Sequence, residues 1–454
     1  MLTVPRTICL GFLAVITVGT LLLCLPWSTS NGQWNPFIVA LFTATSAVCV
    51  TGHIIVDTAT HFSPFGQLVI LLLIQVGGLG YMTATTFLII LLGRKFNLRQ
   101  KIAVQQALDR RGMQGARQLV RSILGLTFLF ELTGAFLLWL IFRQDYSDPR
   151  ALWLAVFHSI SAWNNAGFSL FSDNLMGYQT SVPLNLVISL LIILGGIGYE
   201  VIFEFYLWLR EHLRHWGKPA YLIRKASQMT FSLNFKIVTS TTAILLILGT
   251  VMLFLTEMRS PERFGLFSFE QKLLLAWFQS VTARTAGFNT VNIGEFNNGG
   301  LFIMIALMFI GGSPGGTAGG IKTTTLRILA GITKSALQGK EVVLLYRRQV
   351  PPSLIMKAVA VAFGSMFTVL VSTTLIAIAD PEENFINILF ETVSAFATVG
   401  LSTGITSGLS VFSKLVLIVT MYAGRVGILL LMAAIIGDPQ PSNVQYPEEN
   451  LLVG

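Results

Sequence analysis

Long apolar segments alternate with short polar ones along the 454-residue chain, and four of the interruptions resemble one another. At each of them a short apolar segment ends in small residues closed by a glycine, with a long hydrophobic segment on either side. Such a repeat predicts four hairpins whose tips expose backbone rather than side chains. This is the form expected of an ion-selectivity filter, in which carbonyl oxygens replace the water around an ion. The four runs are Cys-Val-Thr-Gly (49–52), Asn-Asn-Ala-Gly (164–167), Arg-Thr-Ala-Gly (284–287) and Ala-Thr-Val-Gly (397–400).

Each hairpin is predicted to follow one plan: an outer helix, a re-entrant half-helix, a filter loop and an inner helix. The half-helices are too short to cross about 30 Å of hydrocarbon, which requires about 20 residues. We therefore predict an all-α polytopic membrane protein with eight full spans and both termini on one side. The outer helices are placed at 7–25, 119–142, 236–256 and 355–379, the half-helices at 36–48, 151–163, 269–283 and 384–396, and the inner helices at 66–92, 184–209, 300–331 and 412–436.

Two recurring patterns indicate that the four repeats are equivalent. Each half-helix has a phenylalanine followed four residues later by Ser or Thr, and each inner helix has a cluster of glycines. Because two full spans per repeat make consecutive copies parallel, the four copies can surround one central pore, as in potassium channels; repeats with an odd number of spans invert. The predicted domains are pore repeats at 1–93, 119–209, 236–331 and 355–437, basic loops at 94–118, 210–235 and 332–354, and a C-terminal tail at 438–454.

Composition excludes a water-soluble protein and assigns the sides of the membrane. Hydrophobic residues make up 53% of the chain and charged residues 11%, whereas about a quarter of the residues in ordinary soluble domains are charged. The net charge of +9 is concentrated in three segments, with 8 Lys and Arg in 94–121, 6 in 210–236 and 7 in 322–357. By the positive-inside rule these loops and both termini are predicted to be cytoplasmic, in a multi-pass protein of the cell membrane. The basic segments lack the interleaved aromatic residues of a nucleic-acid groove, and the three cysteines lack metal-ligand spacing.

The tips of the hairpins are the predicted ion site. Non-helical backbone is tolerated at membrane depth only where it lines water or is buried in protein. Four loops at equal depth meet this condition if their carbonyls face one pore, and glycine adopts the necessary φ and ψ without a Cβ penalty. The alternative is ordinary helix packing through glycine, which is common in membranes. The predicted ligands are the carbonyl oxygens of Val50, Thr51, Gly52, Asn165, Ala166, Gly167, Thr285, Ala286, Gly287, Thr398, Val399 and Gly400.

At these positions the chain resembles the membrane subunit of the Trk/Ktr/HKT potassium-transporter superfamily, and it looks most like the Ktr type, KtrB. The motifs that carry the resemblance are Thr-Gly-His (51–53), Asn-Ala-Gly-Phe (165–168), Ala-Arg-Thr-Ala-Gly-Phe (283–288) and Thr-Val-Gly-Leu-Ser (398–402). In this superfamily serine at the first filter glycine is associated with sodium selectivity, so glycine at all four positions implies potassium selectivity.

The resemblance also implies the working context of the chain. It implies K⁺ as the transported ion, Na⁺ as a possible activator, no tightly bound cofactor, and a homodimer with one pore per chain. It further implies regulation by a cytosolic nucleotide-binding ring of the KtrA kind, docked on the basic surface. That surface could also attract anionic membrane lipids. The tail 438–454 is expected either to pack at the dimer interface, as in Ktr subunits, or to be disordered.

The third inner helix contains a ten-residue segment that cannot remain helical, because glycine costs about 0.8–1 kcal/mol and proline about 3 kcal/mol relative to alanine. It resembles a P-loop only superficially, since isoleucine replaces the glycine before lysine and no strand precedes it. We interpret it as a mobile gate below the filter, and it resembles the gating loop of the same superfamily. The predicted gate comprises Gly311, Gly312, Ser313, Pro314, Gly315, Gly316, Thr317, Ala318, Gly319 and Gly320, together with Lys322 and Arg425.

Several charged residues leave alternatives open. Arg425, within an apolar helix, should face a cavity or a partner; it either opposes a passing cation or pairs with Glu200 or Glu131. Lys322 either belongs to the gate or begins the basic face. Glu391 and Arg284 are expected to brace the filter, and His53 to pack or line the mouth. Asp57 is expected either to attract cations or to be a solvated acid.

Two rival classes of function are considered. A secondary transporter coupling K⁺ to Na⁺ or H⁺ would need an ion site, which Glu131, Glu200 or Glu204 could supply. A membrane enzyme would need paired catalytic residues at one depth, and the sequence contains no such pair. We therefore predict a non-enzymatic potassium uptake protein with a carbonyl-lined filter and a gate.

Overall fold

A computed structural model describes residues 3–80, 116–215, 231–257, 264–265 and 267–437. Parts of the chain named above lie outside the described residues. These are the end of the first inner helix at 81–92, most of the basic loops at 94–118 and 210–235, and the tail at 438–454. The structural statements below concern the described ranges.

The four long helices have apolar surfaces that face outward. In the last of them Phe363, Phe367 and Leu370 are each at least 60% exposed, which in water would form a large apolar patch. Proline lies in the first turn of two of these helices, where its missing N–H is not needed. In a third, the Ser232 hydroxyl accepts a hydrogen bond from the Phe235 N–H and caps the helix. The helices are α1 (Val4–Cys24), α5 (Ala116–Phe142), α9 (Leu233–Thr256) and α13 (Pro352–Ala379).

Four shorter helices each pack against one of the long helices and contribute many residues to the buried core. The phenylalanine that recurs in the sequence, at Phe42, Phe157, Phe278 and Phe390, is fully buried in every copy. One of these helices begins with a capping box between Ser268 and Gln271. They lie within three residues of the predicted half-helices: α2 (Phe37–Val48), α6 (Asp148–Trp163), α10 (Phe269–Thr282) and α14 (Phe385–Phe396).

The inner helices end much earlier than predicted. Continuous helices were expected at 184–209 and 412–436, but each is two helices, bent by 102° and 97° respectively. The bends occur at Gly198 and Gly427, whose φ values of 93° and 88° interrupt the helix, and Gly80 ends the first inner helix with φ 74°. The inner helices are α4 (Pro64–Leu79), α7 (Val182–Ile197), α11 (Asn298–Phe309) and α15 (Val411–Val426), and the segments after the breaks are α8 (Tyr199–His215), α12 (Thr323–Leu337) and α16 (Ile428–Ile436).

By length and composition alone, the described residues contain fewer than eight helices able to cross a membrane. Among the described residues, four helices are long and apolar enough to cross a membrane, or six if each bent pair counts as one span. Eight spans stays a prediction, since α4 and α11 are shorter and residues 81–115 are not described. All four inner helices therefore end at a glycine-rich segment. The ten-residue segment in the third is a longer form of the glycine break found in the other three.

The glycine clusters of the inner helices allow them to approach the ends of the half-helices. A Cβ atom on Gly77 would collide with the carbonyl of Val48. On Gly195 it would collide with the carbonyl of Trp163, and on Gly424 with that of Phe396. In the third unit Gly311 instead faces the carbonyl of Gly319, within the inserted segment.

Short elements connect the helices on the side of the half-helix N-termini. Asp380, just after α13, accepts hydrogen bonds from the backbone and hydroxyl of Ser410 and from the hydroxyl of Ser413, and so fixes the start of α15. Burial raises the pKa of Asp380, but the hydrogen bonds from Ser413 and Ser410 outweigh it and hold the pKa below its ordinary value. The remaining elements are α3 (Thr58–His61), the 3₁₀ turns Pro26–Ser28, Met176–Tyr178 and Ile293–Glu295, and on the opposite side the paired strands β1 (Leu344–Leu345) and β2 (Arg348–Gln349).

The contact between Gly424 and the end of α14 can be tested by adding one methyl group. We expect Gly424→Ala to lower the free energy of unfolding by about 1–3 kcal/mol, the usual effect of overpacking. The control is Gly125→Ala on the exposed face of α5, where an added Cβ has no neighbour within 4 Å; it should be neutral or stabilising by up to about 1 kcal/mol. Thermal unfolding in detergent measures both. Equal stability of the two variants would contradict the close packing.

Candidate functional site

The four tips of the hairpins, which we call the tip loops (50–52, 165–167, 285–287 and 398–400), share one backbone form. Their first and third residues have positive φ, which leaves the middle residue with φ of the opposite sign. Such alternation turns successive N–H groups to one side of the chain and carbonyls to the other. The first residues are Val50 (54°), Asn165 (56°), Thr285 (71°) and Thr398 (51°), and the last are Gly52 (87°), Gly167 (68°), Gly287 (78°) and Gly400 (88°).

The tip loops contact one another in a closed ring. A Cβ atom added to Gly52 would meet the carbonyl oxygen of Ala166 in the second loop. In the same way Gly167 faces Ala286 of the third loop, at 2.7 Å from the added Cβ to the carbonyl oxygen. Gly287 faces the Val399 carbonyl, and Gly400 returns to the carbonyl of Thr51. The order is therefore first, second, third, fourth and back to first, and each glycine is needed both for its φ and for space.

The N–H groups of the tip loops are bonded backward to the half-helices. The N–H of Thr51 donates to the Ser46 carbonyl at 2.8 Å, and the second and fourth loops repeat this bond. In the third unit, where the half-helix threonine is one residue nearer the glycine, the N–H of Ala286 donates to the carbonyl of Thr282 at 2.9 Å. In the described part of the chain none of the twelve tip-loop carbonyls accepts a hydrogen bond. Buried carbonyls are rarely left unpaired, so these twelve are unusual, and their oxygen atoms are free to accept another partner.

In three of the four units, the hydroxyl that recurs on the half-helix fixes the chain just beyond the glycine. The Ser161 hydroxyl donates to the carbonyl of Phe168 at 2.8 Å. Thr282 donates to Phe288 at 2.6 Å, and Ser394 to Leu401 at 2.7 Å. This explains the Phe-x-x-x-Ser/Thr pattern in three copies. The phenylalanine packs in the core, and the hydroxyl donates a hydrogen bond to the chain that follows the glycine.

Glu391 braces the mouth of the fourth tip loop. Its carboxylate is fully buried and accepts hydrogen bonds from the Ser402 hydroxyl at 2.5 Å, the Thr403 N–H at 2.9 Å and the Thr406 hydroxyl at 2.8 Å. The ring of His53, also fully buried, lies beside it, with 3.4 Å between Nδ1 and the Glu391 carboxylate. His53 therefore packs behind the first loop, so of its two predicted roles the structure favours packing.

Two further predicted residues connect neighbouring parts of the site. Arg284, buried at the start of the third tip loop, donates to the carbonyl of Gly311 at 3.1 Å and to that of Thr242 at 3.4 Å. Asp57 caps α3 and accepts a hydrogen bond from the Ser172 hydroxyl at 2.6 Å. Asp57 thus links the outer loops of the first and second units.

The predicted gate, 311–320, is a folded segment packed beneath the ring. It is held mainly by carbonyls of the second unit: Ser313 N–H donates to Gly196 at 3.0 Å and Thr317 N–H to Gly195 at 3.1 Å. The Thr317 hydroxyl donates to the carbonyl of Trp163, at the end of α6, at 3.2 Å. A Cβ on Gly319 would collide with the Thr398 hydroxyl, so the segment also touches the fourth tip loop.

Arg425 and Lys322 hold consecutive carbonyls of this segment. Arg425 donates through one guanidinium nitrogen to the Thr317 carbonyl and through another to that of Gly77 on α4. Lys322 donates to the Ala318 carbonyl at 2.6 Å. Arg425 therefore connects the fourth, third and first units in one clamp.

The structure does not show the alternative pair between Arg425 and Glu131. The Glu131 carboxylate accepts instead from Asn164 at 3.0 Å and from Gln75 at 3.2 Å. Among the described residues, the guanidinium of Arg425 donates to the backbone carbonyls of Thr317, Gly77 and Gly78. Of the alternatives left open for Arg425, a pair with Glu131 is therefore not present, because carbonyls freed at the helix breaks accept hydrogen bonds from the guanidinium.

Sequence reasoning missed two groups of residues at this site. It did not predict that Val50, Thr285 and Thr398 adopt positive φ, because β-branched residues are outliers there. Nor did it predict that carbonyls at the breaks of the inner helices, such as Gly195, would hold the 311–320 segment. The only sequence signal for these carbonyl contacts was the glycine cluster in each inner helix, because glycine is common where a helix is interrupted.

Comparison with known proteins gives consistent results over almost the whole chain. The family model described as TrkH, cation transport protein, matches residues 11–446. The Ktr system potassium uptake protein B of Bacillus subtilis is 37% identical over 453 residues, covering 100% of this chain and 97% of that protein. The potassium/sodium uptake protein NtpJ of Enterococcus hirae is 35% identical, covering 99% and 97%.

A solved structure shows the same fold at lower identity. The crystal structure of the potassium transporter TrkH from Vibrio parahaemolyticus has a TM-score of 0.70 to this chain. It covers 94% of this chain and 85% of its own, at 18% sequence identity.

The bracing role of Glu391 can be tested by graded substitutions. Hydrogen bonds to a charged group contribute about 1.5–3 kcal/mol each, so Glu391→Ala should lower the free energy of unfolding by about 3 kcal/mol or more. Glu391→Gln keeps the shape and one acceptor oxygen and should lose about half as much. Glu295→Ala, on an exposed turn, is the control. A Glu391→Ala variant as stable as this control would refute the brace.

Proposed function

The chain belongs to the TrkH family of cation transport proteins, and on that premise we propose that it takes up potassium ions through the ring of tip loops. The observation that carries the proposal is the set of twelve tip-loop carbonyls that accept no hydrogen bond from any described residue, arranged in four loops that contact one another in a closed order. Carbonyl oxygens can replace the water molecules that a cation gives up when it enters such a ring, so that binding offsets the cost of dehydration. The names of the relatives, potassium uptake protein and potassium/sodium uptake protein, agree with this assignment.

Electrostatics support the same assignment. The four half-helices end at the ring, so the partly negative ends of their dipoles surround it. No arginine or lysine belongs to the twelve ligand positions. Glycine at the last position of all four loops, together with the resemblance described above, supports selectivity for potassium over sodium.

We expect Gly52→Ser to lower the potassium-over-sodium permeability ratio by about tenfold. Backbone strain of about 1–3 kcal/mol in the first of the four loops would displace its carbonyl oxygens. The new Cβ would meet both an unfavourable φ of 87° and the carbonyl of Ala166 in the next loop. Ion flux of reconstituted protein in potassium and sodium gradients measures the ratio.

A matched control separates the ring from backbone strain alone. Gly32 has a similar φ of 69° but no neighbour within 4 Å of an added Cβ. Gly32→Ser should therefore leave the permeability ratio unchanged. An unchanged ratio in Gly52→Ser as well would contradict the filter assignment.

The 311–320 segment is proposed as the gate of this pore. It lies beneath the ring, and its bonds to neighbouring units run through backbone carbonyls and the side chains of Arg425, Lys322 and Arg284. Release of these bonds would let the segment move without unfolding a helix. Arg425 also places a positive charge beside the proposed ion pathway. For a cation about 8 Å from the guanidinium, with an effective dielectric constant near 20, the repulsion is roughly 2 kcal/mol.

We expect Arg425→Gln to raise potassium flux by about tenfold or more, since both the charge and the clamp are lost. Arg425→Lys keeps the charge but cannot bond both the Thr317 and Gly77 carbonyls, so it should raise flux by a smaller factor. Lys414→Gln, which removes a charge elsewhere on α15, is the control. Flux into proteoliposomes measures all three variants; wild-type flux in Arg425→Lys would contradict the clamp.

The cellular arrangement is proposed from charge and from the relatives. The side rich in Lys and Arg is assigned to the cytoplasm by the positive-inside rule, which places both termini there. We propose a homodimer in the cell membrane with a cytosolic nucleotide-binding partner of the KtrA kind, because relatives are named as parts of Ktr systems. Sodium is proposed as an activating ion.

A coupled secondary transporter remains the second candidate because of Glu131. This buried carboxylate bonds Asn164, the neighbour of the predicted ligand Asn165. Such a group is suited to bind a coupling ion or proton within the membrane. Potassium flux that follows only its own gradient supports the channel-like mechanism, and uphill movement tied strictly to sodium or protons supports coupling.

A further inference from the structure

A basic pocket of about 540 Å³ lies on the Lys- and Arg-rich side of the molecule, away from the ring. One wall is a face of α12, the helix that begins directly after the 311–320 segment. The other wall is formed by β1 and the turn that follows it. The pocket is lined by Arg327, Ala330, Gly331, Lys334, Ser335, Gln338, Lys340, Leu344, Leu345 and Tyr346.

The sequence of α12 places its polar lining on one face. Arg327, Gly331, Lys334 and Gln338 recur at intervals of three and four residues, which align on a helix. The helix ends in a Schellman motif: Gly339 has φ 64°, its N–H donates to the Ala336 carbonyl, and the Lys340 N–H donates to that of Ser335. This motif folds the chain back, so Lys340 joins the same pocket.

The opposite wall is held close to α12 by a strained turn. A Cβ on Gly331 would lie 3.0 Å from Val343, so the absence of a side chain there lets the hairpin approach. The turn between β1 and β2 has Tyr346 and Arg347 at φ 50° and 61°, where hairpins normally have Asn-Gly. The Tyr346 hydroxyl donates to Ser240 on α9 at 2.8 Å and fixes the strained form. Strain of this kind accumulates at functional sites.

The side chains that line the pocket carry positive charge only. Three of its ten lining residues are cationic and none is acidic. Within the described part of the chain, the side chains of Arg327, Lys334 and Lys340 appear in no hydrogen bond or salt bridge. The Nε atom of Arg327 is buried and has no hydrogen-bond partner. Buried N–H donors are normally paired, and among the described residues this one is left free to donate to a bound acceptor oxygen.

We propose that this pocket binds a phosphate group, carried by the headgroup of an anionic lipid or by a small phosphate ester. Arginine and lysine in one concave site match the charge and the several acceptor oxygens of phosphate. Ser240 lies two turns from the start of α9, near the end of that apolar helix on the Lys- and Arg-rich side, where a lipid headgroup would be within reach. The negative end of the α12 dipole lies near Lys340, so the phosphate is placed between Arg327 and Lys334. Assignment of the pocket to the cytoplasm rests on the orientation proposed above.

The test uses the full chain and measures its thermal unfolding by tryptophan fluorescence. One arm titrates inorganic phosphate against chloride at constant ionic strength in detergent. The other compares nanodiscs of phosphatidylcholine alone with a three-to-one mixture of phosphatidylcholine and phosphatidylglycerol. The pocket variant is Arg327→Gln with Lys334→Gln. The control is Arg348→Gln with Lys357→Gln, which removes the same charge from exposed positions outside the pocket.

We expect the unfolding temperature of the wild type to rise in at least one arm. The phosphate arm identifies a soluble ester, and a rise in the lipid arm alone identifies a headgroup. In the pocket variant, the half-saturating phosphate concentration should rise at least tenfold, or most of the lipid-induced shift should disappear. In the control, either change should be less than twofold. No rise in either arm, or equal loss in both variants, overturns the proposal.

Two features of the design keep the outcome interpretable. If the double variant does not fold, Lys334→Gln alone, an exposed side chain, replaces it in the same comparison. The measured quantity is unfolding rather than ion flux. Phosphate binding by a chain that conducts no potassium would therefore refute the proposed function but not this pocket, and the reverse result would do the opposite.

Discussion

The arrangement depends on the close approach of four loops in one ring. Each terminal glycine faces the middle carbonyl of the next loop so closely that a Cβ atom would not fit. The backward hydrogen bonds of the loop N–H groups leave the carbonyls without donors. A ring of this kind is stable only if something outside it holds the loops together, because unpaired carbonyls and positive φ at Val50, Thr285 and Thr398 are unfavourable by themselves.

The surrounding helices supply that support at two levels. Above the glycines, half-helix hydroxyls such as Ser161 and the buried carboxylate of Glu391 hold the outgoing chain. At the half-helix ends, Gly77, Gly195 and Gly424 let the inner helices press against them. The inner helices then break, and carbonyls freed at the breaks become acceptors for Arg425 and for the 311–320 segment. The same irregularity that permits close packing thus creates the attachment points beneath the ring.

Some of this could be predicted from the sequence and some could not. The half-helices and long helices lie within three residues of their predicted bounds, because apolar length and flanking proline or serine are local signals. The breaks at Gly198 and Gly427 were missed, since single glycines also occur inside membrane helices. The positive φ of Val50 was also missed, because a β-branched residue such as valine rarely adopts positive φ. The basic pocket on α12 depends on a hairpin whose turn residues do not resemble a usual turn.

The sequence by itself determined that this is a membrane protein with four equivalent glycine-closed tips, because composition and repetition are visible in the chain. It also determined where the long segments begin, since hydrophobic length is a property of consecutive residues. Only the tertiary structure decided the cyclic order of the loops, the partners of Arg425 and Glu131, and the bonds that hold the 311–320 segment. These depend on backbone carbonyls brought together from distant parts of the chain, and a carbonyl has no sequence signature because every residue carries one.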